Sequence, residues 1–230
     1  MNIEKYSKLA PQYYTNELPN ILEKLLRSHH FTNILDYGCG DGSIIYSLYK
    51  RNLIRDSIIN AVDLSVSRVK QVKKTFPKVI ARVDSAETLK TVKSNSIDLL
   101  ISTQVIEHVD DKKMETAMKR VTAKNATIYL STVFKKWYGW YFYRNNSRWV
   151  LDPTHLREYT KDSQLLNILV KDFKVVANKK TLQWFPIIDF VAKRIGFCGH
   201  NTDLFLWKFL RSIKVPIPGY YNWELVLIKK

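Results

Sequence analysis

The stretch NILDYGCGDGSIIYSL, residues 33–48, most constrains the fold, because an apolar run ends in closely spaced glycines and passes into a helical pattern. Gly38, Gly40 and Gly42 are three of the chain's seven glycines. Glycine adopts positive φ at little cost, lets a ligand approach the backbone, and leaves N–H groups free at the helix start. This order favours a nucleotide-like cofactor bound by an α/β fold, and a tight turn without a ligand is the alternative.

Similar short apolar runs recur along the chain, with helix-period stretches between them. The period of 3.6 in residues 44–48, 66–72 and 114–121 predicts helices, and 18–26 and 161–170 continue that pattern. Alternating strands and helices predict a doubly wound parallel sheet with ligands at the carboxyl ends of its strands. The predicted strands are 33–37, 58–62, 79–83, 97–101, 127–130, 173–178 and one near 223–228.

The length of 230 residues suits one domain. We predict a single domain over residues 1–230 with an N-terminal lid, residues 1–32. Two segments interrupt the regular alternation, and we interpret them as insertions on the substrate side, at 134–159 and 184–219.

Composition narrows the class of protein. Two cysteines without metal spacing make a zinc site or a disulfide framework improbable, and no run approaches the roughly 18 apolar residues of a membrane span. These features indicate a cytoplasmic protein. The net charge is +16, and residues 131–230 carry 17 Lys/Arg against 7 Asp/Glu as well as all six tryptophans. That excess suggests an anionic partner, or only a solvated lysine-rich surface.

The glycine motif distinguishes between two types of cofactor. A dinucleotide fingerprint is G-x-G-x-x-G/A, whereas this stretch is G-x-G-x-G with Ser43 in the third small position. Asp36-Tyr37-Gly38-Cys39-Gly40-Asp41-Gly42 resembles the first motif of the class I S-adenosylmethionine-dependent methyltransferases. NAVDLS, RVDSAETL and IDLLISTQVIEHVDD follow in the order of that family. The resemblance implies a Rossmann-like, mostly parallel seven-stranded sheet with helices on both faces, an antiparallel last strand, and S-adenosyl-L-methionine as cofactor.

The resemblance also implies a cofactor site. Asp36 would lie beside the methionine ammonium, Asp63 would accept the ribose hydroxyls, and Asp84 would accept from the adenine amino group. Tyr14, with Tyr6 and Tyr13, is a lid candidate. Structural roles are the alternatives: a helix-start acid at 63, a loop acid at 84, and tyrosines that only anchor the terminus. The remaining expected cofactor contacts are Gly38, Gly40, Gly42, Leu64, Ser85, Ala86, Thr103, Gln104 and Val105.

Methyl transfer to a hydroxyl requires a base near the methyl group. His108 is our first candidate and His155, in DPTHLREYT, the second; Glu107 lies beside them, and structural histidines are the alternative. Quinone-precursor O-methyltransferases have a Glu-x-x-Glu-His loop, whose first acid is replaced here by Gln104, so no metal is predicted. Arg157, Trp137 and Tyr141 are candidate substrate contacts.

The acceptor class stays open. No Asn/Asp-Pro-Pro-aromatic motif, Pro-Cys nucleophile or double-glutamate loop is present, which disfavours base amines, cytosine carbon and protein arginine. We predict O-methylation of a small-molecule, sugar or lipid-linked acceptor. RNA methylation and a catalytically silent binding protein are the alternatives. The apolar-basic pattern of 184–219 fits helices on an anionic membrane or a cap over the pocket, and the basic aromatic stretch 135–148 could stack RNA bases.

Overall fold

A twisted sheet with a helical layer on each face organises the chain. The computed structural model describes residues 14, 16–54, 56–145, 148–188, 209 and 212–230. Within them, the helices are α1 (Asn20–Ser28), α2 (Ser43–Lys50), α3 (Val66–Thr75), α4 (Asp111–Val121) and α5 (Asp162–Leu169). The strands are β1 (Asn33–Tyr37), β2 (Ile58–Asp63), β3 (Ile80–Val83), β4 (Ile97–Thr103), β5 (Thr122–Lys135), β6 (Tyr143–Asn145), β7 (Arg148–Val150), β8 (Phe173–Pro186) and β9 (Lys214–Lys229).

The main sheet has seven strands in the order β3-β2-β1-β4-β5-β9-β8. Strands β1 to β5 pair in parallel, and β9 runs antiparallel to both β5 and β8. The predicted fold is therefore confirmed, including the antiparallel last strand. The strand order reverses between β1 and β4, and in doubly wound sheets ligands bind beside that point at the carboxyl ends of the strands.

Each face of the sheet has its own hydrophobic core. On one face the helices α4 and α5 bury Met114, Met118 and Leu165 against the sheet. On the other face α1, α2 and α3 contribute residues such as Leu22 and Ile45. Because the central strands are covered on both faces, they consist of nearly continuous apolar runs.

Side chains at the helix starts fix where two of these helices begin. The Ser65 hydroxyl accepts a hydrogen bond from the backbone N–H of Arg68, and the Asp110 carboxylate accepts from those of Lys112 and Lys113. Such caps satisfy N–H groups that have no partner inside the helix. Both helices follow strands that end at the ligand side of the sheet, so the caps also fix the loops there.

The insertions differ from the predicted bounds. Strand β5 continues to Lys135 and therefore includes the first residues of the predicted insertion at 134–159, and the hairpin β6–β7 lies inside that segment. The second insertion is shorter than the predicted range 184–219, because β8 reaches Pro186 and β9 begins at Lys214. Most of its two apolar-basic stretches, including Trp207, lies outside the described residues. No helix in the described part of the chain is long and apolar enough to cross a membrane.

Candidate active site

The glycine loop between β1 and α2 has a left-handed backbone. Gly38, Gly40 and Gly42 have φ of 79°, 53° and 84°, a conformation that L side chains rarely adopt. A Cβ on Gly38 would lie 2.4 Å from Cγ2 of Val105, whereas one on Gly40 would meet only Nη1 of Arg68, at 3.9 Å. Gly38 is therefore required both by its conformation and by packing against the loop after β4, while Gly40 leaves open space above the backbone.

Asp36 ends the apolar part of β1 as a buried carboxyl group. Its exposed fraction is 1%, and neither carboxylate oxygen has a hydrogen-bond partner in the described structure. Burial, with the nearby charge of Asp63 as a second cause, raises the pKa of Asp36 to about 7. An unpaired buried carboxylate is costly, so a cationic ligand beside it would stabilise its ionised form.

Asp63 holds the glycine loop against the end of β2. Its carboxylate accepts hydrogen bonds from the backbone N–H of Gly40 (3.0 Å) and of Ser65 (2.8 Å). A carboxylate has about four lone-pair sites, so these two bonds leave room for further donors. Its predicted ribose contact stays a prediction, and the structure adds a second role, organising the loop.

Asp84 is more fully engaged by its own loop. One oxygen accepts from the backbone N–H of Ser85 (2.8 Å), and the other accepts from both the backbone N–H and the hydroxyl of Thr91 (2.6 Å each). These bonds fix the loop after β3, which fits the structural alternative. The predicted adenine contact would have to use the lone pair that remains.

A cavity of ≈ 720 Å³ lies at this end of the sheet. The loops after β1, β2, β3 and β4 form one wall of it, and part of the 134–159 segment forms the other. It brings together ten of the predicted site residues: Gly38, Asp63, Leu64, Asp84, Ser85, Ala86, Gln104, Val105, His108 and His155. Gln104 adopts φ of 56°, and its amide donates to Oδ1 of Asn222 (3.0 Å), which ties this loop to β9.

The two predicted histidines are neighbours, with ring centroids 4.7 Å apart. His108 ends a 3₁₀ turn, Ile106–His108, directly after β4. The segment around His155 docks on that turn, because the backbone N–H of Leu156 donates to the carbonyl of Glu107 (2.9 Å). Residues 47 positions apart in the chain therefore share one wall of the cavity.

Hydrogen bonds define which nitrogen of each imidazole faces its anchor. Nδ1 of His108 lies 3.0 Å from the hydroxyl of Thr154, which itself donates to Oδ1 of Asp152 (2.6 Å). Since that hydroxyl hydrogen is used, His108 is assigned as the donor through Nδ1–H. Nδ1 of His155 lies 2.9 Å from Oε1 of Glu158, a carboxylate that can only accept. Both imidazoles are thus anchored through Nδ1, and donation through Nδ1–H leaves Nε2 of His108 with its lone pair.

The electrostatics of the pair suit proton transfer. Burial and the neighbouring His155 lower the pKa of His108, so its imidazole is neutral near pH 7. Burial alone would raise the pKa of Glu158, but hydrogen bonds from His155, the Leu151 backbone and Tyr220 outweigh it and lower the pKa. Glu158 is therefore ionised and holds His155 in place.

Glu107 lies behind the histidines and is fully buried. Its Oε2 accepts from the hydroxyl of Thr132 (2.9 Å), while Oε1 has no partner in the described structure, and burial raises its pKa to about 7. One possible ligand atom from each of Glu107, His108 and His155 lies within 4.8 Å of the others. Within the described part of the chain, these three residues could hold a divalent cation, although the sequence predicts no metal.

Other predicted residues lie outside this cavity. Tyr14 donates to the carbonyl of Asp41 (2.9 Å) and packs near Tyr46 and Phe76, while Tyr6 and Tyr13 lie outside the described residues. Five more predicted residues do not line it: Asp36, Gly40, Gly42, Thr103 and Glu107.

The three predicted substrate residues have different positions. Tyr141 is buried in a small core with Val133 and Tyr220 and lines neither cavity, so its substrate contact stays a prediction that this position does not support. Arg157 faces a second, adjacent cavity and donates to the carbonyls of Ile106 (3.2 Å) and Val109. Trp137 borders the same cavity and is 92% exposed.

Sequence reasoning missed Thr132, which anchors Glu107, and the two residues that anchor the histidines, Thr154 and Glu158. Their roles depend on how the insertion folds back on the 3₁₀ turn. The nearest signal was spacing, since Glu158 follows His155 by three residues in THLRE.

The geometry can be compared with that of known proteins. Residues 35–130 match a family model described as "Methyltransferase domain". No curated protein matches the chain significantly.

Several solved structures share the fold. YcgJ from Bacillus subtilis has a TM-score of 0.59 at 14% identity, over 91% of this chain and 97% of its own. PH0226 from Pyrococcus horikoshii OT3 has a TM-score of 0.58 at 13% identity, over 98% and 99%. A geranyl diphosphate methyltransferase, solved with GPP and sinefungin, has a TM-score of 0.54 at 9% identity, over 90% and 77%. At these identities the likeness concerns the fold.

The matched region, 35–130, contains the glycine loop, Asp63, Asp84 and the 3₁₀ turn. The site fits S-adenosylmethionine, because a left-handed glycine loop, an unpaired buried carboxyl at Asp36 and a cavity at the strand ends suit a cationic nucleoside. Residues 35–130 thus form the methyltransferase domain that the family model describes, within the fold of a class I S-adenosylmethionine-dependent methyltransferase.

Proposed function

We propose that the chain methylates a hydroxyl oxygen of a small-molecule, sugar or lipid-linked acceptor. The observation that carries the proposal is the pair of anchored imidazoles, His108 and His155, on the wall of the cavity. An alcohol or phenol must lose its proton to become a good nucleophile, and a positioned imidazole is the commonest general base. When bound, S-adenosylmethionine supplies the electrophilic methyl group.

The protein residues then have separate tasks. The glycine loop, Asp36, Asp63 and the loops carrying Ser85 and Val105 would hold the cofactor. His108 would take the acceptor's proton at Nε2, because its Nδ1–H is already donated to Thr154 and its lowered pKa keeps it neutral. His155, fixed by Glu158, is the second candidate for the same proton.

A lipid-linked acceptor is compatible with this fold. One structural neighbour is a geranyl diphosphate methyltransferase, whose named substrate is an isoprenoid diphosphate. The exposed aromatic side chains of the 134–159 segment give this chain apolar surface near its cavity, as an acceptor of that class would require.

The test measures methyl transfer by His108→Gln and His155→Gln with a panel of hydroxylated lipids, sugars and phenols. We expect kcat to fall about 10²-fold or more in at least one variant, the range of general-base catalysis. Binding of S-adenosylhomocysteine, followed by calorimetry, should be unchanged. His30→Gln is the matched control, because His30 is exposed and far from the cavity in sequence.

Three outcomes would contradict the proposal. Both variants could keep full activity, wild type could methylate only amines or RNA, or wild type could bind the cofactor and methylate nothing. A parallel series with EDTA separates base catalysis from a metal held by Glu107, His108 and His155, since only the latter loses activity on chelation.

A further inference from the structure

A second cavity adjoins the first on the side of the insertion. Its volume is ≈ 540 Å³, and it shares Asn145, His155 and Leu156 with the first cavity. A molecule with its reacting end at His155 could therefore extend past Leu156 into this second space. The residues that line the second cavity then indicate what the rest of the acceptor looks like.

Cations outnumber anions in this second cavity. Four of its lining residues are Lys135, Lys136, Arg148 and Arg157, and its acid is Glu158. Glu158 is already engaged, because its carboxylate accepts from His155, the Leu151 backbone and Tyr220. The lining thus carries an uncompensated positive charge.

Two of the four cations are satisfied internally. Nζ of Lys135 lies 3.5 Å from Oε2 of Glu158 and also donates to the carbonyl of Trp149. Nε of Arg157 lies 3.5 Å from Oδ2 of Asp111. These two residues hold the insertion against the sheet.

Lys136 and Arg148 differ from Lys135 and Arg157 in that their charges are not paired internally. Both are exposed, and neither forms an ion pair with any residue in the described part of the chain. Residues 134–151 contain no aspartate or glutamate that could neutralise them. The ammonium of Lys136 lies 5.5 Å from the centre of the Phe134 ring, a contact that does not neutralise its charge. Lys136 and Arg148 therefore carry the charges that a ligand could neutralise.

Aromatic rings flank these charges. Trp137 is 92% exposed and Trp149 is 36% exposed, and both line the second cavity. The guanidinium of Arg144 lies 4.6 Å from the Trp149 ring, which fixes that ring in a cation–π contact. A site that combines cations outside any described ion pair with exposed indole rings suits an anion joined to an apolar or aromatic body.

We infer that the second cavity binds a phosphate or pyrophosphate group of the acceptor through Lys136 and Arg148. The acceptor is then an anionic amphiphile whose hydroxyl reaches His155. This inference rests on the proposed function for the location of the reacting hydroxyl, but not for the anion site itself. A soluble phosphorylated acceptor and an anionic lipid headgroup share this chemistry.

The test titrates inorganic pyrophosphate into the protein saturated with S-adenosylhomocysteine. We expect Lys136→Gln/Arg148→Gln to weaken pyrophosphate binding about tenfold or more, since each charged contact is worth about that factor. The control is Lys93→Gln/Lys124→Gln, which removes the same charge from exposed lysines that line neither cavity. Equal weakening in both double variants, or no pyrophosphate binding by wild type, would overturn the inference.

A second arm separates the two sources of phosphate. Vesicles of phosphatidylglycerol are compared with vesicles of phosphatidylcholine by co-sedimentation. Loss of phosphatidylglycerol binding in the cavity variant, but not in the control, assigns the site to a lipid headgroup. Pyrophosphate binding without such vesicle binding assigns it to a soluble acceptor. Methyl transfer is measured separately, so failure of the anion site and failure of the proposed hydroxyl chemistry give different results.

Discussion

The buried carboxyl of Asp36 should make the stability of the cofactor-free protein depend on pH. Its pKa is raised from the ordinary 3.8 to about 7, chiefly by burial. Below pH 3.8 the group is protonated in both states. Between pH ~4 and ~7 the unfolded chain releases the proton while the folded protein keeps it, so stability falls as pH rises. A difference of about 3 pH units corresponds to up to about 4 kcal/mol.

The assay compares wild type with Asp36→Asn by denaturant unfolding at pH 4 and pH 7.5. Relative to the variant, wild type should lose up to about 4 kcal/mol over this interval. Glu107 and Glu115, whose pKa values burial also raises to about 7, titrate in both proteins and cancel in the difference. Asp56→Asn, at an exposed position, keeps Asp36 and should therefore lose the same stability as wild type between the two pH values. A difference between wild type and Asp36→Asn that stays constant within about 1 kcal/mol would refute the reasoning.

If the cofactor's ammonium lies beside Asp36, cofactor binding should strengthen as pH rises, opposite to the stability of the cofactor-free protein. A nearby cation favours the ionised carboxylate, so S-adenosylhomocysteine should bind wild type more tightly at pH 7.5 than at pH 5. Asp36→Asn should bind with little change over that range. A steeper pH dependence in the variant than in wild type would place the cationic group elsewhere.

Three further changes test individual contacts. Asp63→Ala should weaken S-adenosylhomocysteine binding at least about tenfold by calorimetry, because a charged hydrogen bond is worth about that much; unchanged affinity would leave Asp63 only its loop role. Gly38→Ala should destabilise the protein by about 1–2 kcal/mol or more, through positive φ and the contact with Val105, and an unaltered melting temperature would contradict the fit. Glu158→Gln should lower kcat about tenfold or more, while KM and cofactor affinity stay near their wild-type values. Glu158→Asp should recover part of the lost kcat. A loss of cofactor binding together with kcat would indicate a structural role for Glu158 instead.

The parallel part of the fold could be predicted because its information is local. Buried strands β1 to β5 are apolar runs, and the helices between them have a clear period. The start of β9 was missed, because Pro216, Pro218 and Gly219 favour a loop. In the structure, Lys214 to Pro216 pair only with β8, whereas pairing with β5 begins at Tyr220. The prolines therefore lie where one side of the strand needs no hydrogen-bond donor.

The candidate site also has a part that local sequence predicts and a part that depends on tertiary contacts. The glycine loop and Asp63 belong to continuous motifs, so their neighbourhood at the strand ends follows from the topology. The anchoring of His155 by Glu158 and of His108 by Thr154 follows from tertiary docking, which leaves no periodic signal in the sequence. Tyr141 illustrates the limit of prediction from local sequence, since an aromatic residue in a basic stretch has the same local pattern whether it faces a ligand or fills a core.

The docking of the insertion on the 3₁₀ turn has a consequence for how such enzymes diversify. The predicted donor-side contacts of the cavity come from loops before β5, whereas Asn145 and Thr154 belong to the segment that follows it. The two halves meet at the 3₁₀ turn, where Leu156 donates to the Glu107 carbonyl and Arg157 pairs with Asp111. Exchange of residues 134–159 between relatives could therefore redirect the enzyme to another acceptor while the methyl-donor loops keep their ancestral sequence, which makes this segment a natural unit for both evolution and engineering.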